Sequence, residues 1–334
     1  MSATLNDIAQ HAAVSVSTVS RVLNDQGNVS LEARARVLEA VKTLGYRKRA
    51  RQTAGDGAVL LLIRQEAAQT NQDGSLAIEM ERLLLAGIQP VLRAQGLAQR
   101  IVYTKMAAQE DEALLAEQPD IVGVIMVGGI VNRDYLALLQ TKRIPFVVAG
   151  AHVRPLQASC VMPDFHQGMV QLVEHLAQRG RRRIGFVNGP PATTTSQEKY
   201  LGLRLGLALH GLDYEESRIV SGCFSFESGD RLTRSLLEQH PDLDAIVYGD
   251  DHMAIGGLRA LRSLGRSIPD DVAVAGCYDY EIARYTEPPL TSISFDKARI
   301  GALAARRLCS LLAEPDDQEW FLLLPTALAI RAST

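Results

Sequence analysis

The sequence has 334 residues, of which 47% are hydrophobic and 22% charged, and its formal net charge is −3. This length corresponds to about two or three domains, and no apolar run approaches the ~20 residues that a membrane span requires. The composition therefore indicates a soluble globular protein and excludes a membrane-spanning one. The N-terminus lacks the apolar core of a signal peptide and the four cysteines are scattered, so we expect a cytoplasmic protein without disulfides.

The charge is distributed unevenly along the chain. Residues 1–53 contain eight basic and four acidic side chains, a net charge of +4, which leaves −7 for the remainder. A basic head on an acidic body is expected when only the head meets a polyanion.

The first stretch of the chain predicts two short helices joined by a tight turn. Thr4 is placed to cap the first helix and Leu5 begins its apolar face. Residues 12–14, Ala-Ala-Val, form the predicted turn, and Ser15 is placed to cap the second helix. Such a pair is either a helix-turn-helix unit or an ordinary capped pair inside a larger helical domain.

The second predicted helix has one apolar and one polar face. Val19, Val22 and Leu23 are placed to pack against the first helix. The opposite face carries small hydroxyls and one guanidinium, from Ser15, Ser17, Thr18, Ser20 and Arg21. Small side chains allow a helix backbone to approach the DNA major groove closely, where hydroxyls and Arg contact phosphates or base edges. This face favours DNA contact.

A third helix and a linker follow. Ser30 is placed to cap the helix, and Gly45 to end it. The basic cluster at 47–51 then leads into a stretch that contains Gly55 and Gly57, which reads as a flexible linker. The cluster is either a solvated charge run or a phosphate contact, and its position next to a helix-turn-helix favours phosphate contact.

From residue 58 onward the pattern is that of an α/β protein. Short continuous apolar runs, typical of strands buried on both faces of a parallel sheet, alternate with amphipathic helices. About 275 residues exceed one open sheet, so we predict two doubly wound lobes with a ligand cleft between them. The predicted strands lie at residues 59–63, 121–127, 145–149, 184–187, 245–248 and 272–275.

Enzyme motifs are absent from the sequence. It contains no GxGxxG after a strand, no GxxxxGK[ST], no GxSxG and no HExxH, and its seven histidines are dispersed. We therefore expect no catalytic residues, no metal site and no cofactor.

Ordered segments along the chain resemble the LacI/GalR family of bacterial transcription regulators. They include TLNDIAQHAAVSVSTVSRVLN, the following VS and LGY, IVGVIMVGG, RRRIGFVNGP and AIVYGDDHMAIGGLRAL. The resemblance implies an all-α helix-turn-helix head and a two-lobed, periplasmic-binding-protein-like core that forms a homodimer or a larger assembly. It also implies two partners, a pseudo-palindromic operator DNA and a small carbohydrate effector that changes operator affinity.

The predicted domain bounds follow from the pattern and the resemblance together. The head spans residues 1–47, the basic and Gly-containing linker 48–57, and the core 58–334. Lobe 1 is predicted at about 58–157 and 294–320, and lobe 2 at about 158–293 and 321–334. The residues assigned to DNA contact are Thr4, Leu5, Ser15, Val16, Ser17, Thr18, Ser20, Arg21, Asn24, Val29, Ser30, Tyr46, Lys48 and Arg49.

The resemblance also places candidate effector residues. Asp251 is implied to accept hydrogen bonds from sugar hydroxyls, Phe224 to cover the sugar ring, and Lys199 to stand where the family often has Arg. Asp279 matches the second acid of a family DD pair. For the two aspartates the alternative is strand-end capping or inter-lobe hydrogen bonding, and for Phe224 it is core packing.

Arg64 follows the first body strand, so its position alone puts it at the cleft mouth. Turned inward, it would favour an acidic sugar or sugar phosphate.

Departures from the family pattern are equally informative. Lys48 and Arg49 replace the Pro-Asn that usually opens a hinge helix, so we expect a basic linker along phosphates rather than a minor-groove wedge. Ala13 replaces the turn glycine, which is tolerable if Ala13 avoids a positive φ. Tyr278 replaces the first acid of the DD pair.

The segment at 73–81 resembles the family's evolved-β-galactosidase repressor type, which favours a β-galactoside effector. The expected function is a repressor. The alternatives are an activator, a sugar-binding transport protein, and a sugar-modifying enzyme with an appended head.

Overall fold

The computed structural model describes residues 5–23, 29–44, 57–64, 76–104, 115, 118–128, 133–153, 158–314 and 318–334. The chain divides into two compact units, residues 1–53 and 54–334. This division falls within the predicted linker, residues 48–57, of which only Gly57 is described. In the described part, no helix has the length and apolar character that a membrane span needs.

Within residues 5–23 and 29–44 the N-terminal unit contains three helices, α1 (Leu5–His11), α2 (Val16–Leu23) and α3 (Leu31–Thr43). Their apolar faces form one small core, made of Ile8, Ala9, Ala12, Val19, Val22, Val37 and Ala40. The predicted caps are confirmed, because Ser15 Oγ accepts a hydrogen bond from Thr18 N and Ser30 Oγ accepts one from Ala33 N, each at 3.2 Å.

The turn between α1 and α2 differs from expectation at Ala13. Its φ is +49°, in the left-handed region that residues other than glycine rarely adopt. The backbone closes around it, since Val14 N donates to Ala9 O at 3.0 Å. The condition that Ala13 avoids positive φ is therefore not met, and the alanine holds a strained conformation that glycine adopts freely.

The C-terminal unit contains two six-stranded sheets flanked by helices. The first sheet has strands β1 (Ala58–Arg64), β2 (Ala98–Thr104), β3 (Ile121–Val127), β4 (Phe146–Ala149), β5 (Ser159–Pro163) and β11 (Phe321–Leu324). Its spatial order is β11-β5-β4-β3-β1-β2, and all its pairs are parallel. The helices described in full beside it are α4 (Leu76–Ala94), α5 (Arg133–Thr141) and α10 (Lys297–Ala313).

The second sheet has strands β6 (Ile184–Asn188), β7 (Ile219–Ser221), β8 (Ala245–Tyr248), β9 (Ala273–Cys277), β10 (Thr291–Ser294) and β12 (Ala327–Ala329). Their order is β12-β10-β9-β8-β6-β7, and only the edge strand β12 is antiparallel. The helices of this lobe are α6 (Phe165–Gln178), α7 (Thr194–Leu209), α8 (Phe226–Gln239) and α9 (Asp251–Ser263). The predicted doubly wound, two-lobed architecture is confirmed.

The bounds of the two lobes differ from the predicted ones. Strands β5 and β11, predicted in lobe 2, belong to the first sheet, where Phe321 pairs with Cys160 and Leu324 with Pro163. The chain therefore crosses between lobes after residue 163, after 294 and after 324. Strands of four or five residues carry no local signal of sheet membership, because partners far apart in sequence decide it.

Candidate DNA-contact helix and candidate effector site

Helix α2 presents the polar face that its sequence predicts. Val19 and Val22 are buried, whereas Ser15, Ser17 and Arg21 are exposed. The hydroxyls of this face form a small network, in which Ser15 Oγ lies 2.8 Å from both Ser17 Oγ and Thr18 Oγ1.

Val16 is 42% exposed at the first position of α2, which makes it the apolar element of an otherwise polar face. Such a residue is suited to contact a thymine methyl group.

The other residues assigned to DNA contact are placed less completely. Val29 is half-buried and Ser30 is exposed at the start of α3. Leu5 and Ser20 lie in α1 and α2, but their side chains fall outside the described part of the structure. Outside the described residues altogether lie Thr4, Asn24, Tyr46, Lys48 and Arg49.

In the second unit, Lys199 projects from α7 into the centre of lobe 2. It is fully buried, and its Nζ donates to Gly249 O at 2.7 Å and to Tyr278 Oη at 3.2 Å. Burial acts to lower the pKa of Lys199, but neighbours that include Tyr278, Cys277 and Asp250 raise it by more, so the side chain is an ammonium at neutral pH.

Aromatic rings surround this ammonium. Its Nζ lies 4.4 Å from the ring centres of Phe165 and Tyr278 and 5.5 Å from that of Phe224. Such distances allow cation–π attraction. The rings come from three separate places, namely the start of α6, the loop after β9 and the loop after β7, and Lys199 joins them.

Phe224 is half-buried and packs against the backbone of Gly189, which follows β6. A Cβ atom at Gly189 would lie 2.1 Å from two atoms of the Phe224 ring, so only glycine allows this approach. The structure thus brings two of the predicted effector residues, Lys199 and Phe224, together at the carboxyl ends of neighbouring strands.

Asp251 has a different environment. Its side chain is fully buried, with Oδ1 accepting from Ser292 Oγ at 2.6 Å and Oδ2 from Tyr280 N at 2.8 Å. Burial raises the pKa of this carboxyl to about 8. Each oxygen accepts one hydrogen bond, and both donors lie in lobe 2, so these are not inter-lobe hydrogen bonds. The contact of Asp251 with effector hydroxyls stays a prediction.

Asp279 is also engaged internally. Its Oδ1 accepts from Arg331 Nη2 at 2.5 Å, and its backbone N donates to Ser292 Oγ at 2.9 Å. The residue has a φ of +49°. Its carboxylate ties the loop after β9 to the last turn of the chain within lobe 2, and its role in effector binding stays a prediction. Arg64 is the last residue of β1, and its side chain lies outside the described part of the structure.

The sequence predicted no role for three further residues of this region, although it showed Tyr278 in place of the first acid of the DD pair. Asp250 caps α9, accepting from His252 N and contacting His252 Nδ1, both at 2.8 Å. Phe165 and Tyr278 supply two of the rings around Lys199. An aspartate directly before an amphipathic helix is a recognisable cap signal that would have found Asp250, whereas no local signal identifies the rings.

The lobes contact one another next to this site. His152, after β4 of lobe 1, lies with Nε2 3.0 Å from Oε1 of Glu198, the neighbour of Lys199. Glu281 N of lobe 2 donates to Glu79 Oε1 of lobe 1 at 3.1 Å.

The chain matches known proteins over both units. Residues 4–48 match the family of bacterial regulatory proteins of the lacI type, and residues 173–334 match the periplasmic binding protein-like domain. The HTH-type transcriptional regulator CelR of Thermobifida fusca is 32% identical over 342 residues, which cover 99% of this chain and 98% of that protein. Catabolite control protein A of Staphylococcus xylosus is 28% identical over 344 residues, with 100% of both chains covered.

Among solved structures, the transcriptional regulator CelR–cellobiose complex resembles the chain with a TM-score of 0.75 and 29% identity, covering 99% of this chain and 100% of that one. The helix-turn-helix head, the two-lobed α/β core and these full-length similarities lead to one conclusion. The chain belongs to the LacI family of bacterial regulatory proteins and is a DNA-binding transcriptional regulator.

Proposed function

We propose that the protein is a repressor whose α2 enters the DNA major groove. The observation that supports this most directly is the outer face of α2, where Ser15, Ser17 and Arg21 are exposed around Val16 while Val19 is buried. A homodimer would present two such helices, which would read two half-sites of a pseudo-palindromic operator in successive major grooves. Such a protein acts in the compartment that holds the DNA, the cytoplasm.

The test is to select an operator from genomic fragments and to measure its affinity for Arg21→Ala. Loss of a specific base contact costs about 1–3 kcal/mol, so we expect roughly five- to 150-fold weaker operator binding and little change on random DNA. The matched control is Arg36→Ala, which removes one exposed positive charge of the head from α3. Equal losses for both variants would mean that Arg21 contributes only charge.

The effector is proposed to be a small carbohydrate that binds between the lobes near Lys199 and Phe224. CelR, the similar regulator, is solved with cellobiose, whereas the sequence favours a β-galactoside. Cellobiose and lactose differ only in the configuration of one carbon, so a thermal-shift comparison of the two discriminates directly. A ligand at 100 times its Kd stabilises the native state by about 2.7 kcal/mol.

Binding of the effector is proposed to change operator affinity by about 1–3 kcal/mol, a usual range for allosteric coupling. The inter-lobe contacts of His152 with Glu198 and of Glu79 with Glu281 are placed to respond, since they lie between the site and the rest of lobe 1. Operator titrations with and without the ligand measure the coupling and its sign, which distinguishes an inducer from a co-repressor.

We propose no catalytic role for the protein. Incubation with the bound sugar followed by mass analysis tests this, because a sugar-modifying enzyme would return altered ligand. A reporter gene under the selected operator separates repression from activation, and sedimentation of the full chain measures the assembly.

A further inference from the structure

The carboxylates at the carboxyl ends of β8 and β9 are largely neutralised by the protein itself. Asp250 pairs with His252, whose pKa is raised because the Asp250 carboxylate outweighs the effect of burial. Asp279 pairs with Arg331 at 2.5 Å. Each of these two carboxylates thus has a basic side chain of the same lobe as its nearest partner.

The third carboxyl, that of Asp251, is neutral at pH 7, since its pKa is about 8. It accepts hydrogen bonds from Ser292 and Tyr280 within lobe 2. Its contribution to the negative charge of the region is therefore small.

Lys199 makes no direct ion pair among the described residues, although the nearby charge of Asp250 contributes to raising its pKa. Among the described residues, which exclude 65–75, its ammonium contacts only the carbonyl of Gly249, the hydroxyl of Tyr278 and three ring faces. Two acceptors leave its third N–H unused. The other buried lysine of the region, Lys297, differs because burial lowers its pKa, although the carboxyl groups of Asp251, Asp279 and Glu79 act to raise it.

An ammonium with one N–H left over can bind one further acceptor, and charge-assisted hydrogen bonds to carboxylate or phosphate are the strongest of these. From this unused N–H and the absence of a direct ion pair within the described residues we infer that the effector is an anionic sugar, whose carboxylate or phosphate pairs with Lys199 while its ring lies against Phe224. This inference rests on the proposed function. The rings of Phe165, Phe224 and Tyr278 supply apolar faces for the C–H face of a sugar, and the ammonium supplies the charge.

The experiment compares matched probes on the full-length protein by thermal shift and calorimetry. The probes are glucose, glucuronate and glucose 6-phosphate, and galactose, galacturonate and galactose 6-phosphate, at constant ionic strength. We expect at least one acid or phosphate to bind at least tenfold more tightly than its neutral parent. Whether the uronate or the sugar phosphate binds more tightly shows whether the effector carries a carboxylate or a phosphate.

Lys199→Met should abolish this preference, and Lys199→Arg should retain most of it because the charge remains. The control is Arg204→Met, which removes an exposed cation from the same helix outside the ring cluster. Circular dichroism verifies that each variant folds. If Lys199→Met does not fold, Lys199→Arg still tests the inference, because it should keep the preference for the anionic probe.

Three outcomes overturn the inference: neutral parents that bind as tightly as their acids, anion preference that persists in Lys199→Met, or no binding of any anionic probe at 10 mM. If the protein binds an operator and responds to a neutral sugar, this inference is wrong and the proposed function stands. If the protein selects no operator, the proposed function is wrong.

Discussion

Replacement of Asp251 by Asn should change how stability depends on pH. The folded-state pKa of Asp251 is about 8, against an ordinary value of 3.8, because the carboxyl is fully buried. An acid with a raised folded pKa binds its proton more tightly in the folded state, so the wild type loses stability as the pH rises from 3.8 towards 8. Asn cannot titrate and can still accept from Tyr280 and donate to Ser292.

The magnitude follows from the shift. Each pH unit between the unfolded and folded pKa corresponds to 1.36 kcal/mol, so between pH 5 and pH 8 the wild type should lose up to about 4 kcal/mol relative to Asp251→Asn. Relaxation around the carboxyl makes this an upper limit. Groups that titrate equally in both proteins cancel in the difference.

The assay is urea unfolding at pH 5, 6, 7 and 8 at one protein concentration. Fluorescence of Trp320, the only tryptophan, reports on the C-terminal unit rather than on the head. The control is Asp271→Asn, since Asp271 is exposed and its pKa is lowered by hydrogen bonds from Ser267. The stability that the Asp271 carboxylate contributes is lost only below about pH 4. The difference in unfolding free energy between the wild type and Asp271→Asn should therefore be the same from pH 5 to pH 8. A flat difference for Asp251→Asn as well would refute the reasoning.

Two further substitutions test local geometry. Ala13→Gly should stabilise the head by about 0.5–1 kcal/mol, because glycine adopts the positive φ without strain at some entropic cost. Slower hydrogen exchange across residues 5–23 would show this gain. The control is Ala12→Gly, at a buried position, which should accelerate exchange. Gly189→Ala should destabilise the C-terminal unit by about 1–3 kcal/mol through overlap with the Phe224 ring. Adding Phe224→Ala should recover part of that loss, and additive losses in the thermal melts would contradict the overlap.

The sequence by itself determined the head and the architecture of the body. Ser15 and Ser30 cap the predicted helices, and the continuous apolar runs became β1, β3, β4, β6, β8 and β9. These signals are local, because caps and side-chain periodicity involve residues within one or two turns of each other. The exposed edge strand β2, with the sequence AQRIVYT, carries no such apolar run and was missed.

Only the tertiary structure decided which partners the polar groups of the cleft have. Asp251 accepts from Ser292, 41 residues away, and Asp279 from Arg331, 52 residues away, so no local pattern indicates either contact. Lys199 meets one ring at the start of α6 and two in the loops after β7 and β9, three places that lie far apart in the sequence. The sequence specifies these chemical groups, whereas strand order determines their partners, because pairing in a parallel sheet brings together residues that are distant along the chain.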